Sequence, residues 1–218
     1  MIISWGRNYV FVHIPKTGGT SLAKALENRA MKDDILIGDT PKARRRKRRL
    51  KELSTRGRLW KHSTLADIDG ILTPEDLAKM FTFTLVRNPW DRVVSYYHWL
   101  KSQEFEHPSI VLAKQMNFET FLQVPDIQKS LRNTPARTYM VDAFGVERCR
   151  CFIRLENLKS DLCMLEHHLG FALEVPHENA STRAKDFRPF YSRISREIVA
   201  DICAEDIARF GYRFDNAK

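Results

Sequence analysis

Hydrophobic and polar positions along the chain fall into blocks that predict strand, turn and helix in succession. Tyr9 to Ile14 is apolar except at His13, the pattern of a strand buried on both faces of a parallel sheet. A turn with two glycines and one lysine follows. Leu22, Ala23, Ala25 and Leu26 then predict a helix from Thr20 to about Ala30. Phe81 to Val86 is β-branched and aromatic, a second strand. Pro89 ends it. From Asp91 to Ser102 the period becomes helical, with Val94, Tyr97 and Leu100 on one face. Cys151 to Leu155 is a third strand candidate, and Asn157 to Leu169 is a helix with a leucine stripe that Gly170 stops. Thr73-Pro74-Glu75-Asp76 reads as a capped helix start. Asn117 to Leu122 reads as a capped helical turn. A last helix, Arg196 to Phe210, is expected to be capped by Ser195 and ended by Gly211. Thr134 to Glu147 gives no clear pattern.

Strands alternating with helices predict an α/β fold: a parallel sheet flanked by helices on both faces, like the nucleotide-kinase type of P-loop protein. The length of 218 residues suits a single domain, 1–218, with a full core. Apolar residues make up 43% and charged residues 29%, ordinary values for a globular protein. No apolar run approaches the ~20 residues that span a bilayer. The first residues lack the basic start, long apolar core and small-residue cleavage site of a signal peptide. The expected localisation is cytoplasmic.

Charge changes this picture at one place. The net charge is +9, but Lys42 to Lys51 alone holds eight basic residues and no acid, so the rest of the chain is nearly balanced. This segment, 42–51, reads as a basic insertion rich in helix formers. Three roles are open to it: a solvated face, a nucleic-acid or anionic-membrane patch, or an arm for an anionic acceptor. The four cysteines, Cys149, Cys151, Cys163 and Cys203, show no zinc spacing. Reduced thiols are expected, with a Cys163–Cys203 bridge as the alternative.

The turn after the first strand, Pro15-Lys16-Thr17-Gly18-Gly19-Thr20-Ser21, has the chemistry of an anion site. Glycines let backbone N–H groups approach closely, the helix N-terminus adds partial positive charge, and Lys16 adds a full one. The triphosphatase pattern G-x-x-x-x-G-K-[ST] is absent, because Lys16 precedes the glycines and no hydroxyl follows a Gly-Lys pair to hold Mg²⁺. A second group follows the second strand. Arg87 stands where open α/β sheets place their ligands, and Ser95 lies about one turn into the next helix. An arginine and a hydroxyl so placed can share a phosphate.

Pro15 to Ser21, and Arg87-Asn88-Pro89-Trp90-Asp91-Arg92 with Ser95-Tyr96, resemble the two cofactor motifs of sulfotransferases that use 3′-phosphoadenosine-5′-phosphosulfate (PAPS). The nearest resemblance is to the carbohydrate branch, the heparan and chondroitin type and its bacterial relatives. Phe152 to Asn157 and the Phe-Gly-Tyr-x-Phe close at Phe210 to Phe214 extend it over nearly the whole chain. The resemblance implies transfer of a sulfuryl group from PAPS to a hydroxyl or amine of an acceptor, a carbohydrate or other hydroxyl compound, with PAP as product and no metal. It implies Lys16 at the leaving phosphate, the backbone of Thr17, Gly18, Gly19, Thr20 and Ser21 around the 5′-phosphate, and Arg87 and Ser95 at the 3′-phosphate. His62, the one histidine between the two motifs, takes the place of the general base, since imidazole titrates near neutrality. His13 reads as structural. A nucleotide-closing loop is implied within Pro176 to Pro189, with Arg183 as its PAPS contact. Two rivals stand beside this reading: a kinase-like phosphoryl transferase, and a polyanion- or nucleic-acid-binding protein acting through 42–51.

Overall fold

The computed structural model describes residues 1–176, Ala184 and 186–215. In chain order the strands and helices are β1 (Ile2–Ser4), β2 (Tyr9–Val12), α1 (Gly19–Asn28), β3 (Ile35–Leu36), α2 (Pro41–Arg46), α3 (Pro74–Lys79), β4 (Phe81–Val86), α4 (Pro89–Lys101), α5 (Pro108–Gln115), α6 (Phe118–Gln123), α7 (Pro125–Arg132), α8 (Ala136–Met140), β5 (Cys151–Arg154), α9 (Leu158–Asp161), α10 (Cys163–Leu169), α11 (Arg193–Ile202) and α12 (Ala204–Phe210). The chain forms two compact units: Met1–Val86 with Ala136–Asn179, and Arg87–Pro135 with Ala180–Lys218.

The first unit holds the sheet, in the order β3-β1-β2-β4-β5. Strands β2, β4 and β5 run parallel, with Phe11 level with Phe83 and Leu85 with Ile153. The expectation of an all-parallel sheet is corrected here. A tight turn, Trp5 to Asn8, sends β1 back antiparallel to β2, and β3 adds to β1 antiparallel. Asn8 makes that turn at φ 54°, a left-handed conformation that asparagine tolerates. The short span from Ser4 to Tyr9 leaves room for a hairpin but not for the crossover that a parallel partner needs. All six residues of β4 are buried, as its unbroken apolar and threonine run predicts. Its threonines are satisfied internally: Thr84 donates its hydroxyl to Val12 O at 2.8 Å. The core packs Phe11, Phe83, Leu85 and Ile153 against Leu22, Leu26 and Leu165.

The basic segment folds as α2, capped by Thr40, and a 3-10 turn over Lys47–Glu52. Part of its charge is used inside the unit. Arg46 donates to Met31 O at 2.7 Å and Asp34 O at 3.1 Å, Arg49 donates to Lys32 O, and Lys42 to Glu27 O. The leucine-stripe helix is broken into α9 and α10 at Leu162, and Gly170 closes α10 at φ 75°. The four cysteines are free thiols, so the alternative of a Cys163–Cys203 bridge is not realised.

The second unit is helical, with its own core of Trp90, Val94, Tyr97, Phe121 and Val199. Asn88 caps α4, accepting from Trp90 N at 3.1 Å. The expected final helix begins earlier and is split: Ser192, not Ser195, caps α11, and Ser195 closes the capping box at the third position. Cys203 separates α11 from α12, and Gly211 ends α12 at φ 66°. Among the described residues no helix is long and apolar enough to cross a membrane.

Phe83 is fully buried, with its ring 5.3 Å from Phe11 and 5.8 Å from Tyr9. Phe83→Ala should lower stability by about 3–5 kcal/mol, read as the midpoint of urea unfolding; a loss below about 1 kcal/mol would mean that this strand is not central to the core.

Candidate active site

The site is built from the end of β2. After Val12 the chain runs through Ile14 into a turn in which Lys16 (φ 65°) and Gly18 (φ 84°) are left-handed. Lysine rarely adopts that conformation, and such strain is concentrated at functional turns. Thr17 is buried and donates its hydroxyl to Ile14 O at 2.9 Å, which holds the turn closed. Gly18 is the N-cap of α1, with no side-chain cap bond. Ser21 N–H returns to Gly18 O at 3.1 Å. The N–H groups before it are those a helix leaves without an internal acceptor. No acidic residue stands in the first turn. A turn of this kind can receive an anion, and Lys16 at its start adds a positive charge.

His13 is the residue that ties the loop to the second part of the site. A methyl group at Gly19 would stand 2.2 Å from His13 Cδ2, so Gly19 is needed for the imidazole to lie against the loop. The same ring meets His62 edge-on, centroids 4.7 Å apart. His62 Nδ1 lies 2.7 Å from His13 O. A carbonyl only accepts, so Nδ1 carries the proton and Nε2 keeps the lone pair in the neutral ring. Burial brings the His62 imidazole from 6.5 down to about 4, against the bond to His13 O, which raises it. Burial likewise holds His13 well below its ordinary value. Both rings are neutral near pH 7.

The turn that carries His62 is fixed by Ser63, fully buried. Its hydroxyl accepts from Trp60 N at 2.9 Å and lies 2.9 Å from both Arg58 O and Trp60 O. Trp60 is an exposed residue, and its ring stands 5.0 Å from His62, edge-on. Beside the loop opens a cavity of about 230 Å³, bordered by His13, Thr20, Lys24, Glu27, Asp39 and Lys61. Sequence reasoning missed this cavity and Trp60. One signal was present: Thr20, Ala23, Lys24 and Glu27 share a stripe of α1 at helical spacing.

Arg87 and Ser95 belong to the second unit. Arg87 is largely buried and is held by Asp91 Oδ2, 2.9 Å from Nε and 2.7 Å from Nη2. Ser95 is buried on α4. Arg183 lies outside the described residues. Among the described residues no group of three or more His, Cys, Asp and Glu side chains is placed to hold a metal ion.

A parallel β2–β4–β5 core with a left-handed turn leading into a helix N-terminus defines an α/β protein of the phosphate-loop class. A family model described as "Sulfotransferase family" matches residues 1–213; the chain belongs to that family and is a sulfotransferase. Among solved structures it is similar to mouse sulfotransferase SULT7A1 complexed with PAP, at TM-score 0.50 and 14% identity over 94% of this chain and 86% of that one. Likeness at that identity is one of fold. A search of curated proteins gives no match.

Gly19→Ala should push His13 off the loop and move His62 with it. Imidazole ¹H–¹⁵N spectra should show both rings shifted; unchanged His62 resonances would contradict the coupling. Stability should also follow pH through these rings. Their folded values lie below 6.5, so below that pH the unfolded chain binds more protons. Stability is then full above pH 6.5 and falls as pH drops toward 4. Urea midpoints at pH 7, 5.5 and 4.5 should decrease in that order. The decrease should be shallower in His62→Phe, and an equal slope would exclude His62 as a source.

Proposed function

We propose that this sulfotransferase takes its sulfuryl group from PAPS and passes it to a hydroxyl of a carbohydrate acceptor, with His62 as general base. The observation that supports it most is the loop: a left-handed Lys16 and Gly18, an acid-free helix start, and a neutral imidazole with Nε2 unprotonated within one ring's reach. In this reading the whole chain acts as one catalytic domain, as the family match over residues 1–213 favours.

The roles follow from the chemistry. The N–H groups at Thr17, Gly18, Gly19 and Thr20, with Ser21 completing the turn, hold the 5′-phosphate. Lys16 meets the negative charge that develops on the bridging oxygen as the S–O bond to that phosphate breaks. The acceptor oxygen forms the new bond to sulfur, its proton passes to His62 Nε2, and PAP leaves. Arg87, braced by Asp91, and Ser95 hold the 3′-phosphate. Such a transfer depends on positioning and charge stabilisation. A base titrating near 4 is weak, but it is unprotonated throughout the physiological range, so no acid limb is expected in kcat/KM between pH 6 and 8.

Calorimetric titration with PAP in the absence of metal, beside ATP with Mg²⁺, tests the donor. Tight PAP binding and weak ATP binding are expected; metal-dependent ATP binding would overturn the reading. His62→Ala should cut turnover by roughly 10²–10⁴-fold with PAP affinity nearly unchanged. An unchanged rate would remove His62 from this role.

A further inference from the structure

The end of the first unit away from the phosphate loop gathers three segments that lie apart in the chain. β2 leads into the loop from its last residue, and the turn Trp5 to Asn8 precedes its first. α1 starts at the loop and ends at Asn28, ten residues and about 15 Å farther on. There the stretch from Arg29 to Asp34 meets the hairpin turn. Arg7 donates from Nε and Nη2 to Arg29 O, at 3.3 and 3.1 Å. The guanidiniums of Arg7 and Arg29 lie 4.9 and 5.0 Å from the centroid of the Phe171 ring. A methyl group at Gly6 would stand 2.5 Å from Met31 Sδ, so the thioether lies on the turn. The second half of the basic segment is tied to the same place, because Arg46 donates to Met31 O and Asp34 O, and Arg49 to Lys32 O.

Two apolar side chains stand out of this end: Trp5 is 42% exposed and Met31 39%. Cations surround them. Arg29, Lys32, Arg48 and Arg49 are exposed, and among the described residues none of the four forms an ion pair with an acid. Nearby acids do not cancel them. Asp34 is fully buried and accepts from Met31 N at 2.8 Å. Asp33, Glu52 and Glu174 are exposed, but Arg7 and Arg46 add to the four cations and leave the end positive.

An anionic bilayer surface takes both kinds of side chain: lipid phosphates attract the cations, and the interface accepts an indole ring. A polynucleotide or sulfated polymer would use the cations alone. Methionine offers nothing to a phosphate backbone, and single-strand binders stack successive bases on successive aromatic rings, whereas the Phe171 ring is taken by two guanidiniums. We infer that this end is a peripheral docking surface for anionic lipid, in which Trp5 and Met31 enter the headgroup region and the cations meet phosphate. Docked in this way, the protein holds Lys16 at the opposite end of β2 and α1 from the lipid, with the loop on the aqueous side.

Flotation of the full chain with vesicles of phosphatidylglycerol and phosphatidylcholine, beside vesicles of phosphatidylcholine alone, tests the surface. At about 0.1 M salt the anionic vesicles should bind at least about tenfold more tightly, and about 0.5 M salt should release most of the protein. Lys32→Gln combined with Arg48→Gln should weaken binding about 25-fold, at about fivefold for each charge; both residues are exposed, so the fold is spared. Trp5→Ser should weaken it about tenfold. Phosphatidylglycerol brominated high on its acyl chains should quench tryptophan fluorescence of the bound wild-type protein, and Trp5→Phe, still bound, should lose that quenching. Equal binding to both vesicles, binding to neither, wild-type affinity in the two weakened variants, or quenching that survives Trp5→Phe would overturn the inference. Capture by heparin or duplex DNA at a salt concentration that leaves anionic vesicles unbound would overturn it as well.

Discussion

The ring of His13 fills the space in which any side chain at position 19 would stand, and this contact sets the geometry around it. Because the imidazole lies on Gly19, the helix can start within a turn of the strand's end. Because its carbonyl accepts from His62 Nδ1, the second histidine is fixed in one tautomer at one distance from the loop. Burial keeps both rings uncharged, so two imidazoles lie in contact with no mutual repulsion beside Lys16 and Lys61. A protonated His13 would be costly here, since it would have to give up solvent and face those cations.

The same economy appears in how the sheet is built. The phosphate-loop strand β2 has a short antiparallel neighbour on one side and the fully buried β4 on the other. Tyr9 and Phe11 of β2 share one face of the sheet with Phe81, Phe83 and Leu85 of β4, and Phe11 and Phe83 pair directly across the ladder. A rigid strand with its hydrogen bonds satisfied on both sides can carry strain at its end, and Lys16 holds such strain at φ 65°. The second unit keeps a separate aromatic core in which Trp90, Tyr97, Phe121 and Phe187 are each buried. Arg87, the first residue of that unit, is pinned by Asp91 one turn along.

Much of this was legible in the residues. The β2 strand, glycine turn and following helix were readable because an apolar run, two glycines and a new period occur in sequence. Asn117 and Thr73 announce their helices because capping is a local interaction, whereas α4 begins at Pro89, two residues before the expected Asp91. The antiparallel hairpin was not readable, since Ile2 to Ser4 is too short to show a period and Trp5 to Asn8 lacks a common turn pair. The break at Leu162 was hidden by a continuous leucine stripe, and Ser192 was passed over because Ser195 is equally able to cap. His13 looked structural on sequence, and its contacts with Gly19 and His62 depend on tertiary packing that spacing does not encode. The cavity joins α1 to residues 37–41 and Lys61, segments distant in the chain.

The order β3-β1-β2-β4-β5 leaves two sheet margins, and both are blunted against intermolecular pairing. At one margin β3 is two residues long, too short a template for another chain to zip onto. At the other, β5 ends at Arg154, whose backbone N–H donates to Asp161 Oδ2 at 3.0 Å while its side chain bonds the same carboxylate. One aspartate thereby occupies a donor that a foreign strand would need and places an ion pair beside it. This protein meets the hazard of edge-to-edge pairing with a truncated strand on one flank and a carboxylate plug on the other.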